Sequence, residues 1–189
     1  MIELDIITPS DSNWISPVVV FEKPDSTYRL AIDYRALNTV TKPSCYPIPT
    51  IDSILHSMHN SKVISTLDLK SGFWQSAVHP DDQPKTAFVC EGVIQFKRLP
   101  FVLRNASPNF QNLLEIVFKP LSDNSCRQYY PYIDNIVIHS PTIDDHFRAL
   151  DAVFCCLREA GLTINPSKCN YCKPPGFKET TNIVPTHGM

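Results

Sequence analysis

Apolar positions along the chain recur at two different periods, and the switches between them mark out the elements. Residues 17–23 (Pro-Val-Val-Val-Phe-Glu-Lys) and 28–33 (Tyr-Arg-Leu-Ala-Ile-Asp) are β-rich runs either side of the turn-forming Pro24-Asp25-Ser26-Thr27, which predicts a hairpin. Pro43, Pro47 and Pro49 impose an extended connection before a short helix expected over Ile51–Met58. Val63–Leu69 reads as a strand with Asp68 near its end, broken by Ser71-Gly72. Thr86–Cys90 and Val93–Phe96 flank Glu91-Gly92 and predict a second hairpin.

Further along, Ser107-Pro108 reads as a helix start, because Ser caps free N–H groups and Pro suits the first helical position. Phe110, Leu113, Leu114, Val117 and Phe118 follow at helical spacing. Tyr129–Ile133 and Ile136–His139 are apolar runs joined by Asp134-Asn135, a third hairpin. Ile143, Phe147, Leu150, Val153, Phe154 and Leu157 mark the longest amphipathic helix, closed by Gly161. Strands and helices mix without regular βαβ alternation, so the expected class is α+β. After Lys173 the pattern fades through Pro174-Pro175-Gly176, and 173–189 reads as a degenerate or poorly ordered tail.

Composition narrows the function classes. With 43% hydrophobic and 19% charged residues, the 189-residue chain can bury a core and is neither a disordered tail nor a coiled coil. No apolar run is long enough for a membrane span, and Met1-Ile2-Glu3-Leu4-Asp5 lacks the features of a signal peptide. A soluble, intracellular protein, cytoplasmic or nuclear, is therefore expected. The net charge of −2 argues against adhesion to nucleic acid through bulk charge. Any such contact has to be local, and residues 20–104 hold ten Lys and Arg against eight Asp and Glu. Seven scattered cysteines point to reduced thiols rather than a disulfide framework. Cys169 and Cys172 have metal-ligand spacing with His187 downstream, but a second close pair is missing.

Two carboxylates stand where strands end: Asp68, and Asp134 at a hairpin tip. If the strands lie side by side, both acids meet at one sheet edge. A pair of oxygen ligands there suits Mg²⁺ and two-metal phosphoryl transfer. Spacing alone favours a plain turn at Asp134-Asn135, since Asp and Asn are common hairpin-turn residues.

A set of ordered blocks extends this reading. They are Ser16-Pro17-Val18-Val19, Arg29 with Ile32-Asp33-Tyr34-Arg35-Ala36-Leu37-Asn38, Tyr46-Pro47-Ile48-Pro49, Leu67-Asp68-Leu69-Lys70-Ser71-Gly72-Phe73, Lys85-Thr86-Ala87-Phe88, Leu99-Pro100-Phe101, Asn109-Phe110-Gln111 and Tyr132-Ile133-Asp134-Asn135. In this order the chain resembles the reverse transcriptases of gypsy-class LTR retrotransposon Pol polyproteins, from about residue 6 to 171, with Asn165-Pro166-Ser167-Lys168-Cys169 as the last clear block.

The resemblance implies a polymerase fingers-palm domain over 1–172, whose palm is an antiparallel sheet backed by helices in a ferredoxin-like arrangement. It implies an RNA-directed DNA polymerase that extends a primer on an RNA or DNA template from dNTPs. Asp68 and Asp134 would ligate Mg²⁺, with Mn²⁺ as a substitute, and Asn135 completes the catalytic set. Lys23, Arg29, Phe73 and Phe101 would bind the dNTP, the guanidinium against phosphate and the Phe73 ring under the sugar. Lys70, Lys85 and Arg104 are candidates for the nucleic-acid backbone. Expected partners are template-primer, dNTPs and the remaining Pol domains, thumb and RNase H, supplied in trans or by a longer precursor.

The chain also departs from the family's pattern. Asn135 stands where the family has a second Asp, removing a charge from a site that must hold divalent cations. Pro131 is expected to delete a ladder bond in an interior strand, and Val102 replaces a Gly beside the nucleotide. Lys178-Glu179-Thr180-Thr181-Asn182 replaces an expected apolar stretch, and the thumb is expected to be absent. Impaired catalysis is the expectation. Two other readings stay open: a non-catalytic retroelement remnant keeping the palm fold with weak nucleic-acid binding, and a small metal- or partner-binding protein organised by Cys169 and Cys172.

Overall fold

The computed structural model describes residues 1–22, 26, 28–122 and 128–175. In chain order these form β1 (Ile7–Pro9), β2 (Val18–Glu22), β3 (Tyr28–Ile32), α1 (Arg35–Val40), α2 (Ile51–Ser57), β4 (Val63–Asp68), β5 (Phe88–Val89), β6 (Val93–Phe96), α3 (Ala106–Val117), β7 (Tyr129–Tyr132), β8 (Asn135–Ser140), α4 (Ile143–Glu159) and β9 (Asn170–Lys173). Short 3₁₀ segments lie at Gly72–Gln75, Pro80–Thr86, Lys119–Leu121 and Pro166–Lys168. The chain divides into two compact units, one of residues 1–44 and 73–107, the other of 45–72 and everything from 108 onward.

The first unit holds a three-stranded antiparallel sheet, ordered β1-β6-β5, and the separate β2–β3 hairpin. Ile6, Ile32, Tyr34, Phe88 and Phe96 form its core, with Leu37, Trp74 and Leu103 packed around them. The buried Tyr34 hydroxyl donates to the Thr86 carbonyl at 2.7 Å, and the Thr86 hydroxyl accepts from the Phe96 N–H at 2.9 Å. Asp33 starts α1 by accepting from the Arg35 N–H, and the Arg35 guanidinium holds its carboxyl down at about 2.

The second unit runs β4-α3-β7-β8-α4-β9, which is the split β-α-β-β-α-β pattern. Its four strands pair antiparallel in the order β7-β8-β4-β9, so the expected α+β palm with an antiparallel sheet is what forms. Side chains alternate across a strand, and the register therefore sorts them into two faces. Ile64, Thr66 and Asp68 stand opposite His139, Val137 and Asn135 on one face. There Ile64 and Val137 pack with Ile54 and Met58 from the α2 region. Ser65 and Leu67 stand opposite Ile138 and Ile136 on the other face, all four fully buried. His146 of α4 covers that face, with its ring nitrogens 2.7 Å from the Ser65 hydroxyl and 3.3 Å from the Ser140 hydroxyl.

Four expectations change here. The β7–β8 turn is Ile133-Asp134 rather than Asp134-Asn135, and Asn135 is the first residue of β8, paired with both Tyr132 and Asp68. Pro131 is not in an interior strand, because β7 is the sheet edge. Its carbonyl is taken by Gln111 outside the ladder, and a strand residue's N–H points the same way as its C=O, so proline costs β8 no bond. α3 begins at Ala106, so Ser107 lies inside its first turn rather than capping it. β1, α1 and β9 were not anticipated, since each is short and carries no sustained apolar period. Residues 176–189 lie outside the described residues. Among the described residues no helix is long and apolar enough to cross a membrane.

Candidate active site

Asp68 closes β4, and its backbone is held from two sides. Its N–H donates to the Cys169 thiol at 3.4 Å and its carbonyl accepts from the Asn165 N–H at 2.7 Å. Leu69 bridges to Ile164, and the Lys70 N–H donates to the Thr163 carbonyl. From the other side, the Leu69 N–H donates to the Asp134 carbonyl at 3.0 Å. The strand end thus lies between the loop at 163–169 and the β7–β8 tip, which brings the two aspartates together within one unit.

Asp134 occupies a two-residue turn whose first member, Ile133, has φ 56°. A β-branched residue in that region is strained by about 1–3 kcal/mol and persists only where neighbours fix it. Gly72 passes directly beneath: a Cβ placed there would lie 3.0 Å from the Asp134 Cβ. That is too close for any larger residue without a shift, which explains why glycine stands there.

Burial pushes the Asp134 carboxyl above the usual carboxylate range, and the charge of Asp68 pushes it the same way. The charge of Lys168, whose Nζ pairs with Asp68 Oδ2 at 3.8 Å, opposes this. The Asn135 amide donates from Nδ2 to Asp134 Oδ1 at 3.2 Å, which leaves its carbonyl oxygen as the group it can offer a cation. Two carboxylates and an amide oxygen fit a hard divalent cation, which takes oxygen ligands and would relieve the repulsion between the acids. Among the described residues no group of three or more His, Cys, Asp or Glu side chains gathers as a metal site, so these two acids are the anionic part.

The nucleotide candidates belong to the first unit. Lys23 lies outside the described residues. Arg29 stands on β3 opposite Phe21, and its side chain lies outside what is described. Phe73 is half-buried in the 3₁₀ turn after Gly72, and Phe101 is half-exposed in the turn after Pro100. Val102 keeps a negative φ and accepts the Asn38 amide on its carbonyl at 3.0 Å, so a β-branched residue is accommodated there without forcing a left-handed turn. Arg104 donates to the Asn38 and Thr41 carbonyls at the end of α1, a structural use that competes with any phosphate contact. Lys85 pairs with Asp82 at 2.5 Å. Cys169 donates to the Asn165 carbonyl and accepts from Asp68, so its thiol is engaged in the acid edge, while Cys172 is exposed on β9 and His187 lies outside the described residues.

Sequence reasoning passed over Gln111, Gly72 and Lys168 as site residues. Gly72 and Lys168 sat inside quoted blocks without a role, because the contact that gives each its role joins distant segments. Gln111 left a usable signal: an amide one position from Phe110 on a helix whose inward face is otherwise apolar, and the structure buries it completely.

Residues 21–181 match the family model described as reverse transcriptase (RNA-dependent DNA polymerase). The retrovirus-related Pol polyprotein from transposon opus of Drosophila melanogaster is 40% identical over 172 residues, 88% of this chain and 17% of that protein. That from the transposon gypsy of the same organism is 39% identical over 186 residues, 95% of this chain and again 17% of the relative. Among solved structures, a foamy viral protease-reverse transcriptase in complex with an RNA/DNA hybrid superposes with a TM-score of 0.79 at 27% identity, covering 90% of this chain and 22% of that one.

Proposed function

Since the chain belongs to the reverse transcriptase (RNA-dependent DNA polymerase) family, we propose that it is a fingers-palm polymerase region over 1–172 that adds dNTPs to a primer on an RNA or DNA template, with catalysis weakened at Asn135. The observation that carries this reading is the pairing of Asp68 with the β7–β8 tip, which brings two carboxylates to one sheet edge, close enough that the charge of Asp68 raises the Asp134 pKa. The foamy viral relative held with an RNA/DNA hybrid supports the choice of template.

In this reading Asp68 and Asp134 hold Mg²⁺ or Mn²⁺. When bound, such ions make the primer hydroxyl a better nucleophile and neutralise triphosphate charge. The backbone of Asp68 is fixed by its bonds to 165 and 169, so it would present its carboxylate from a held strand end to a bound cation. Asp134 is supplied by the strained tip. Lys168 lies within reach of Asp68 and tempers the negative potential. Asn135 supplies an oxygen but no charge, and part of its amide is spent on Asp134. Arg29 and Lys23 serve the triphosphate, and Phe73 and Phe101 the sugar and base. The chain covers 17% of the length of the Drosophila Pol polyproteins it resembles, and the thumb and RNase H proposed as partners would act in trans or within a longer precursor.

A second reading, a non-catalytic remnant with weak nucleic-acid binding, is favoured by the same Asn135–Asp134 hydrogen bond, which ties up one ligand oxygen. Mg²⁺-dependent extension of a DNA primer on an RNA template separates the two. Slow extension that Asp68→Ala reduces by about 10³-fold, the effect of removing a metal ligand worth several kcal/mol, supports the polymerase. A folded chain that extends nothing supports the remnant.

A further inference from the structure

Gln111 is wholly buried on α3, and its amide makes three hydrogen bonds. Nε2 donates to the Pro131 carbonyl at 2.9 Å and to Glu115 Oε1 at 3.3 Å, while Oε1 accepts the Ile133 N–H at 2.9 Å. One side chain therefore grips the last stretch of β7 and the first residue of the turn that presents Asp134. Ile133 is the residue held at φ 56°, and nothing in its own chemistry favours that conformation. Proline at 131 fits the same device: it has no N–H to leave unsatisfied beside the amide, and its carbonyl is the acceptor Gln111 uses.

We propose that Gln111 is a positioning residue for the cation site, clamping the strained Ile133 turn so that the Asp134 carboxylate stays beside Asp68. The role rests on the reading of Asp68 and Asp134 as cation ligands. Gln111 touches neither carboxylate, and it acts through the backbone of 131–133. A buried apolar side chain of the same length would fill its space and leave the carbonyl and N–H without partners, freeing the turn to relax.

The test has two readouts on the whole chain. Amide hydrogen exchange reports the Ile133 N–H directly, and Mn²⁺ titration followed by water-proton relaxation reports the site. In the parent chain Ile133 exchanges well below the free-peptide rate. Gln111→Met speeds Ile133 exchange and raises the Mn²⁺ Kd by about tenfold, the scale of losing a partner that orients a ligand. Val153→Ala, a core truncation on α4, lowers the melting temperature but leaves Mn²⁺ affinity unchanged. Free-peptide exchange of Ile133 in the parent overturns the clamp without any variant being needed. Mn²⁺ affinity that is equal in Gln111→Met and the parent, while Asp134→Ala abolishes binding, overturns the positioning role alone. Mn²⁺ affinity indifferent to both Asp68→Ala and Asp134→Ala overturns the cation reading, and the positioning role with it.

Discussion

Two hairpins of this chain, β2–β3 and β7–β8, have similar apolar sequences and unlike surroundings. β2–β3 is a sheet of two strands only, and Val19, Val20 and Phe21 of β2 are exposed, Val20 at 57%. β7–β8 is completed by β4 and β9, and from Ile136 to Ser140 every residue of β8 is buried. A two-stranded hairpin gains little from its own ladder, whereas a strand inside a covered sheet is fixed by everything packed on it. The difference matches the work asked of each. Ligands for a cation must keep their spacing to within a fraction of an ångström, and of the proposed ones Asp134 and Asn135 stand on the buried hairpin and Asp68 on β4, the strand paired with it. Arg29, proposed to meet a nucleotide, stands on β3 of the two-stranded hairpin, which no further strand fixes.

The sharpest way to break this contrast is to truncate one side chain in each hairpin. Ile138→Ala, at a fully buried position, is expected to lower unfolding free energy by about 2–4 kcal/mol, and Val20→Ser by no more than about 0.5 kcal/mol. Urea denaturation measures both, and comparable losses would remove the distinction. A smaller effect is expected at Gly72. Gly72→Ala puts a methyl group 3.0 Å from the Asp134 Cβ, and a displaced ligand should cost about tenfold in the rate of primer extension. The same substitution at Gly92, where the added Cβ meets nothing, should leave that rate unchanged, although its φ of 132° will lower stability.

The smallest effect is a pH dependence. Burial lowers the His146 pKa below the ordinary 6.5, so the folded state holds the neutral ring between its two serines. Below pH 6.5 the unfolded chain binds the proton first, and the stability present above that pH drains away as the pH falls towards the folded value. His146→Gln, which keeps a hydrogen-bonding amide, should flatten the melting temperature between pH 7 and about pH 5. A parent chain with no such slope would show that the network does not need the neutral ring.

Much of the second unit was legible in the sequence. The apolar runs at 63–69 and 129–139 located β4, β7 and β8, and the carboxylates at their ends pointed to a shared edge. Periodicity could not fix which two residues form the tip, because Ile133, Asp134 and Asn135 all fit a turn, and only the pairing of Asn135 with Asp68 settles it. Nor could it show that β7 is an edge strand, on which Pro131 is harmless. Gln111 was illegible as a clamp because its partners, the backbone groups of 131 and 133, have no identity in a sequence.

In the proposed reading, one missing charge at Asn135 limits a cation site formed by Asp68 and Asp134. The direct measurement is the rate of Mg²⁺-dependent incorporation of the first dNTP on an RNA template, for Asn135→Asp beside the chain as it stands. A third carboxylate paired with Asp68 should raise that rate by about tenfold or more, since each factor of ten needs only about 1.4 kcal/mol of added stabilisation in the transition state. An unchanged or lower rate in a folded Asn135→Asp chain, with Asp68→Ala inactive, would contradict it.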